Sequence, residues 1–169
     1  MKELRATRVV HCSVEIARQP SVVWSWILND IAAGQHYARL GYRIDPSSDP
    51  TSHLKTYRLH FKSADRVDDI MAAITELDDK AMRLSMFAEF FSPQARGLVA
   101  HVTYQAVARG NDSLLQMSCH ATFDLDVDEH ASAEEIARSA EAGRHCYERD
   151  TTEWFDEIKV RLESSEAAS

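Results

Sequence analysis

Three tyrosines, Tyr57, Tyr104 and Tyr147, stand where the local apolar pattern points inward, two on strand-like segments and one on a helix-like one. A phenol hydroxyl taken out of water needs a partner, so each can orient a ligand carbonyl or donate a proton to an enolate. They are the candidate catalytic acids or bases; the ordinary alternative is a core tyrosine whose hydroxyl reaches the rim. His11, His101 and His120 fall on the faces opposite the apolar ones. If Gly110 and Asn111 form a two-residue turn, His101 and His120 are directly opposed, about 5 Å apart at their Cβ atoms. Two imidazoles can share a metal, but this face is an outer one and spacing fixes no carboxylate beside them, so no metal is expected. Asp124, Asp126, Asp128 and Glu135 occupy positions one, three, five and twelve of a calcium-loop pattern. Position six is Glu129 where glycine is required, and a strand precedes the loop, so the acidic residues read as a polar row leading into a helix N-terminus. No phosphate-binding glycine loop, nucleophile elbow, zinc-protease helix or dinucleotide fingerprint is present, and no cofactor is expected.

The elements that must position these groups follow from the hydrophobic period. Val10, Cys12, Val14 and Ile16 alternate with His11, Ser13 and Glu15, which predicts a first strand over Arg8 to Ala17 after a polar start. Pro20 then opens a helix in which Val23, Trp24, Ile27, Leu28 and Ile31 recur at helical spacing up to Gly34. A meander of strands follows: Tyr37 to Asp45, weakly patterned; Lys55 to Lys62, with Tyr57, Leu59 and Phe61 on one face; and Arg66 to Leu77 with Ala81 to Phe90, joined through Asp78 and Asp79. Ile70, Met71, Ile74 and Leu77 also fit a helix, and the short acidic connection decides for a strand. Pro46 to Ser52 reads as a loop. Leu98 to Ala108 and Ser113 to Asp126 flank Gly110, Asn111 and Asp112, a strong hairpin signal. The chain then closes on a capping box, Ser132 with Glu135, and Ile136, Ala140, Gly143, Tyr147, Thr151, Trp154, Ile158 and Leu162 recur at helical spacing. A continuous helix from Ala133 to Ser164 spans about 48 Å at 1.5 Å per residue, and that length suggests a bend near Gly143.

The 169 residues are 44% hydrophobic and 27% charged, which describes one globular domain over 1–169 and excludes disorder. A net charge of −8 has the wrong sign for binding phosphates, so neither nucleic acid nor membrane insertion is expected; a homodimer is left open. No apolar run approaches the roughly 20 residues of a bilayer span, and MKELRATR has no leader-type apolar segment, so a cytoplasmic chain is expected. Cys12, Cys119 and Cys146 form no CxxC pair and read as reduced thiols, the first two packed inward.

The order strand, helix, about six strands and one long helix resembles the START/Bet v-like (SRPBCC) superfamily, which includes polyketide cyclases, lipid-transfer domains, coenzyme Q-binding proteins and birch pollen allergens. The local match is strongest over Val14 to Trp24, where an opening strand, a proline-led turn and a helix carrying Val23-Trp24 stand in the family's order. Asp78 to Met86 is similar to its Asp-containing turn and following strand, whereas the glycine-rich turn between strands two and three is replaced here by Pro46 to Ser52. The resemblance implies an α+β helix-grip fold: a curved antiparallel sheet of about six or seven strands wrapped around a long C-terminal helix. Such a sheet and helix leave a cavity wherever large side chains do not fill the space between them. The candidate lining is Phe61, Met86, Phe90, Ala100, Met117 and Cys119 from the sheet and Ala140, Gly143, Thr151 and Trp154 from the helix.

Two function classes follow, with a third beside them. Inward faces without a buried carboxylate, lysine or arginine favour a module that binds a hydrophobic small molecule such as a lipid, quinone or polyketide. The alternative is a cofactor-free cyclase, aromatase or dehydratase using the three tyrosines; an inward charged residue or a strongly shifted ionisable group favours it. The third is a ligand-free interaction protein, which a filled core and an exposed apolar patch favour.

Overall fold

The computed structural model describes residues 2–46, 55–92, 95–128 and 130–164. Strand β1 (Lys2–Ile16) is followed by helix α1 (Pro20–Trp26), a π-helical segment (Ile27–Ala32) and helix α2 (Gln35–Arg39). Six strands come next: β2 (Arg43–Pro46), β3 (Thr56–Lys62), β4 (Val67–Asp78), β5 (Arg83–Phe90), β6 (Val99–Arg109) and β7 (Asp112–Val127). Helix α3 (Ala133–Ser164) closes the chain and runs without interruption through Gly143. All seven strands form one antiparallel sheet in the order β1-β7-β6-β5-β4-β3-β2. The fold is therefore the α+β helix grip, with the long helix carried on one face of the sheet.

Local chemistry explains the elements. Gly110, at φ +65°, and Asn111 make the tight turn between β6 and β7, and the register that follows sets His101 opposite His120 on the outer face. Ser132 and Glu135 close the capping box at the start of α3: the Glu135 amide donates to the Ser132 hydroxyl, and the Ser132 amide donates to the Glu135 carboxylate. The Trp24 indole N–H donates to the Asp79 carboxylate at 3.0 Å, pinning α1 to the β4-β5 turn, so the two stretches that carry the family resemblance touch each other.

Four departures from the sequence expectation have physical causes. β1 begins at Lys2, because its whole length pairs with β7. The helix after Pro20 widens into π geometry at Ile27, and Asp30 within that segment is buried, at 8% exposed. The expected strand from Tyr37 is confined to Arg43–Pro46: Gly34, at φ +77°, ends the π-helical segment, and residues 35–39 form α2. Finally, β4 carries a bulge between Ile74 and Glu76. The extra residue returns Leu77, paired with Leu84, to the face of Ile70 and Ile74, which is why the spacing 70, 74, 77 imitates a helix in sequence. The loop expected over Pro46 to Ser52 lies, beyond Pro46, outside the described residues, as does Glu129.

The core sits between the sheet and the helices. Leu59, Leu84, Leu115, Ile16 and Val10 from the sheet meet Val23, Ile27 and Ile31 from the first helices and Phe155 and Ile158 from α3, all nearly inaccessible. Helix α3 follows β1, and its C-terminal end is bonded to it. Lys159 Nζ donates to the Glu15 carbonyl at 2.6 Å, the Ala17 amide donates to the Glu163 carboxylate at 2.7 Å, and the Arg18 guanidinium donates to the Leu162 and Glu163 carbonyls.

Candidate functional site

The inward face of the sheet has a row of small residues running across it. Register places Tyr57 of β3 beside Ala72, Ala72 beside Ala88, Ala88 beside Ala100, Ala100 beside Ala121, and Ala121 beside Arg8 of β1. At about 4.8 Å per strand, the four alanines make a floor about 14 Å long with a phenol at one end and a guanidinium at the other. Ala100 belonged to the expected lining, and its partners extend it.

Helix α3 covers this face unevenly. In its C-terminal half Thr151, Phe155, Ile158 and Leu162 are buried, whereas Ile136, Ala140, Gly143 and Tyr147 in the first half are only half-buried. A Cβ built on Gly143 meets no atom within 4 Å. The helix packs tightly at its end and more loosely at its start, while Ala72, Ala100 and Ala121 beneath it are 2%, 7% and 1% exposed. The Thr151 hydroxyl donates to the Tyr147 carbonyl of its own helix, so its proton is already committed. Trp154, within the buried half, joins an aromatic cluster: its ring lies 4.9 Å from His36, 6.1 Å from Trp26 and 6.3 Å from Tyr104.

The three sequence-selected tyrosines do face inward, and Tyr37 joins them in one electrostatic neighbourhood around Tyr104. Burial raises the pKa of Tyr37, Tyr57, Tyr104 and Tyr147 above the ordinary phenol value. Each is therefore a neutral hydroxyl, fitted to donate a hydrogen bond and unfitted to act as a base. Tyr57 donates to the Ile31 carbonyl at 3.4 Å, and Tyr147 lies in the neighbourhood of the Cys119 thiol. Burial likewise pushes the Cys119 and Cys12 thiols up, which makes them inert packing groups; Cys119 stands opposite Val10 and Cys12 opposite Met117, a diagonal pair across β7 and β1.

The interior is not free of charge, contrary to the sequence expectation. Arg8 shares the inward parity of Val10 and Cys12, and its guanidinium lies 4.6 Å from the Tyr147 ring centroid and 5.2 Å from that of Phe123. Asp30 and Asp68 are buried carboxylates. Asp30 accepts from Arg39 and Arg161, and Asp68 accepts from the Tyr42 hydroxyl at 2.5 Å and pairs with Arg66 at 2.6 Å. Among the described residues, the buried side-chain polar atoms without a hydrogen-bond partner are Arg8 Nε and Trp26 Nε1, both donors. The parity of Arg8 was legible in the alternation of β1; Trp26 lies off the helical stripe and gave no signal.

The remaining lining candidates divide. Met86, Met117 and Cys119 are nearly inaccessible parts of the inward face, and Phe90 is half-buried at its edge. Phe61 lies apart in a rim stack, 5.2 Å from Tyr42 with Arg66 above it. Near the Tyr57 end, a cleft of about 310 Å³ opens between the π-helical segment and β4, lined by residues including Leu28, Ala32, Ile74 and Leu77. On the outer face, the His101–His120 pair is joined by His11, 6.2 Å from His120, and among the described residues no three such groups stand close enough to hold a metal ion. No described helix is long and apolar enough to cross a membrane.

No protein-family model and no curated protein sequence matches the chain. Solved structures do match its fold. Ara h 8.0201 aligns over 97% of this chain and 100% of its own, at 9% identity and a TM-score of 0.61. The Zhui aromatase/cyclase from Streptomyces sp. R1128 aligns over 94% of both chains, at 16% identity and a TM-score of 0.60. Norcoclaurine synthase from Thalictrum flavum, in complex with dopamine and hydroxybenzaldehyde, aligns over 70% of this chain and 71% of its own, at 13% identity and a TM-score of 0.56.

Proposed function

We propose, from the premise that this chain has the START/Bet v-like helix-grip fold, that its 169 residues act as one domain that binds a hydrophobic small molecule between the sheet and the first half of α3. The observation that carries this reading is the row of small side chains on the sheet together with the looser packing of the first half of α3, where a Cβ on Gly143 would meet nothing within 4 Å. An apolar trough with a few convergent donors is the usual form of a small-molecule site. The ligand class is a lipid, quinone or polyketide-like compound, and the aromatic molecules held by norcoclaurine synthase on the same fold support the choice.

Native mass spectrometry of the freshly purified protein, followed by organic extraction, tests the reading: a stoichiometric hydrophobic companion is expected. Gly143→Trp fills the open space, and the variant should melt as the parent does while losing that companion. Loss of the fold in this variant would mean that the space was never empty, and a folded variant that keeps the companion would put the ligand elsewhere.

A second reading, a cyclase- or dehydratase-like enzyme, is favoured by the inward Arg8. A guanidinium beside neutral phenol donors can stabilise an enolate oxygen as it forms. In that case the tyrosines serve as donors to developing charge, and turnover of the extracted compound would distinguish catalysis from storage.

A further inference from the structure

A cation that faces a protein interior without an anion is an unusual thing to build. Arg8 has no hydrogen bond or ion pair among the described residues; two aromatic rings flank its guanidinium, and its Nε is buried and unpartnered. Cation–π contact satisfies the faces of the guanidinium plane and leaves its in-plane N–H donors unused. Those donors are five in number, carry a charge that cannot be given up, and match the geometry of an oxyanion. Arg8 also ends the alanine row, being paired with Ala121, and the open space at Gly143 lies one helical turn before Tyr147, the residue that stacks on it. The opposite end of the row is neutral, closed by Tyr57. The row is thus polarised: alanines in the middle, a neutral phenol bonded to the Ile31 carbonyl at one end and an unpaired cation at the other.

We propose, resting on the cavity reading above, that Arg8 is the anion-accepting point of the site and that the ligand is a hydrophobic acid, an apolar body ending in a negatively charged oxygen. A carboxylate, or the ionised oxygen of an acidic phenol or enol, would take the in-plane donors of Arg8 while its body lies along Ala121, Ala100 and Ala88. The charge requirement excludes neutral lipids and quinones as the preferred occupants. Within the cavity reading it therefore names a class that the apolar lining alone does not.

The test separates the cavity from its charge. N-phenyl-1-naphthylamine, neutral and fluorescent in apolar surroundings, reports on the cavity itself, and dodecanoate and dodecanol, equal in chain length, compete with it. The parent protein should bind the fluorophore and prefer dodecanoate to dodecanol by about tenfold or more, the worth of one charge-assisted hydrogen bond. Arg8→Met keeps an apolar stem and should bind the fluorophore as the parent does while the acid preference falls to about unity; Arg8→Lys should retain part of it. Equal affinity for acid and alcohol in the parent, or an undiminished preference in Arg8→Met, overturns the role of Arg8 and leaves the cavity standing. No binding of fluorophore, acid or alcohol overturns the cavity reading itself. If Arg8→Met does not fold, Arg8→Lys and Arg8→Gln decide: a purely structural Arg8 changes the melting temperature of both and the acid preference of neither.

Discussion

Asp30 joins three helical elements through one carboxylate, and its contribution can be worked through. The side chain is 11% exposed; it accepts a two-bond fork from Arg39 of α2, Nη2 at 2.5 Å and Nη1 at 3.2 Å, and one bond from Arg161 Nη1 of α3 at 3.2 Å. A net contribution of about 1.5–3 kcal/mol is typical of a hydrogen bond to a charged group. The Arg39 and Arg161 side chains, however, are 45% and 48% exposed and regain hydration when released, which reduces each arginine pair to about 1 kcal/mol. Asp30→Asn keeps the shape and removes the charge, so the expected loss is about 2 kcal/mol. In urea unfolding with a slope of about 2 kcal/mol per molar, that is a midpoint about 1 M lower. Arg161→Met should cost about half as much, and the double variant should lose about 1 kcal/mol less than the sum of the singles, because the Asp30–Arg161 bond is counted in both. A midpoint within about 0.2 M of the parent for Asp30→Asn, or strict additivity in the cycle, would refute the claim that this carboxylate ties the π-helical segment to α3.

Phe155, 1% exposed beneath Trp154, should cost about 3–5 kcal/mol when cut to alanine, whereas Val160→Ala, at a residue 64% exposed on the same helix, should stay within about 0.5 kcal/mol; comparable losses in thermal unfolding would place the grip of α3 elsewhere. At Asp68, burial opposes ionisation, but the hydrogen bonds from Arg66, Tyr42 and Ser92 outweigh it and hold the pKa below the ordinary carboxylate value. A depressed folded-state pKa contributes stability that is complete above the unfolded value of about 3.9 and is lost as pH falls through the folded one. Asp68→Asn should therefore flatten the acid limb of stability against pH below about 4, and an unchanged limb would show that the cluster carries no such linkage.

Sequence pattern carried the sheet because its faces alternate. The β6-β7 register, including His101 opposite His120, followed from a two-residue turn, and the inward tyrosines and small residues followed from period two. Where one extra residue intrudes, the pattern misleads: the bulge at Ile74/Glu76 makes a strand imitate a helix, and Asp30, seven residues after Val23 and so at the edge of the helical stripe, is buried although it is a carboxylate. Arg8 was hidden differently. Its parity was plain, but the expectation that an inward strand residue is apolar took it for the end of the strand rather than for a member of the inward face. The alanine row needed register as well as alternation, since no single strand shows that its alanine stands beside the next one.

The hydrogen bonds from the last turns of α3 to the end of β1 have a consequence for solubility. A sheet that does not close into a barrel leaves an outer strand whose unpaired backbone groups are a template for other chains. Here Lys159 occupies the Glu15 carbonyl and Glu163 occupies the Ala17 amide, so the helix that covers the hydrophobic face also blocks one end of that template. Detachment of these turns would uncover apolar surface and an unsatisfied strand edge in the same movement. Loosening of the helix is therefore expected to start self-association, the two rising together.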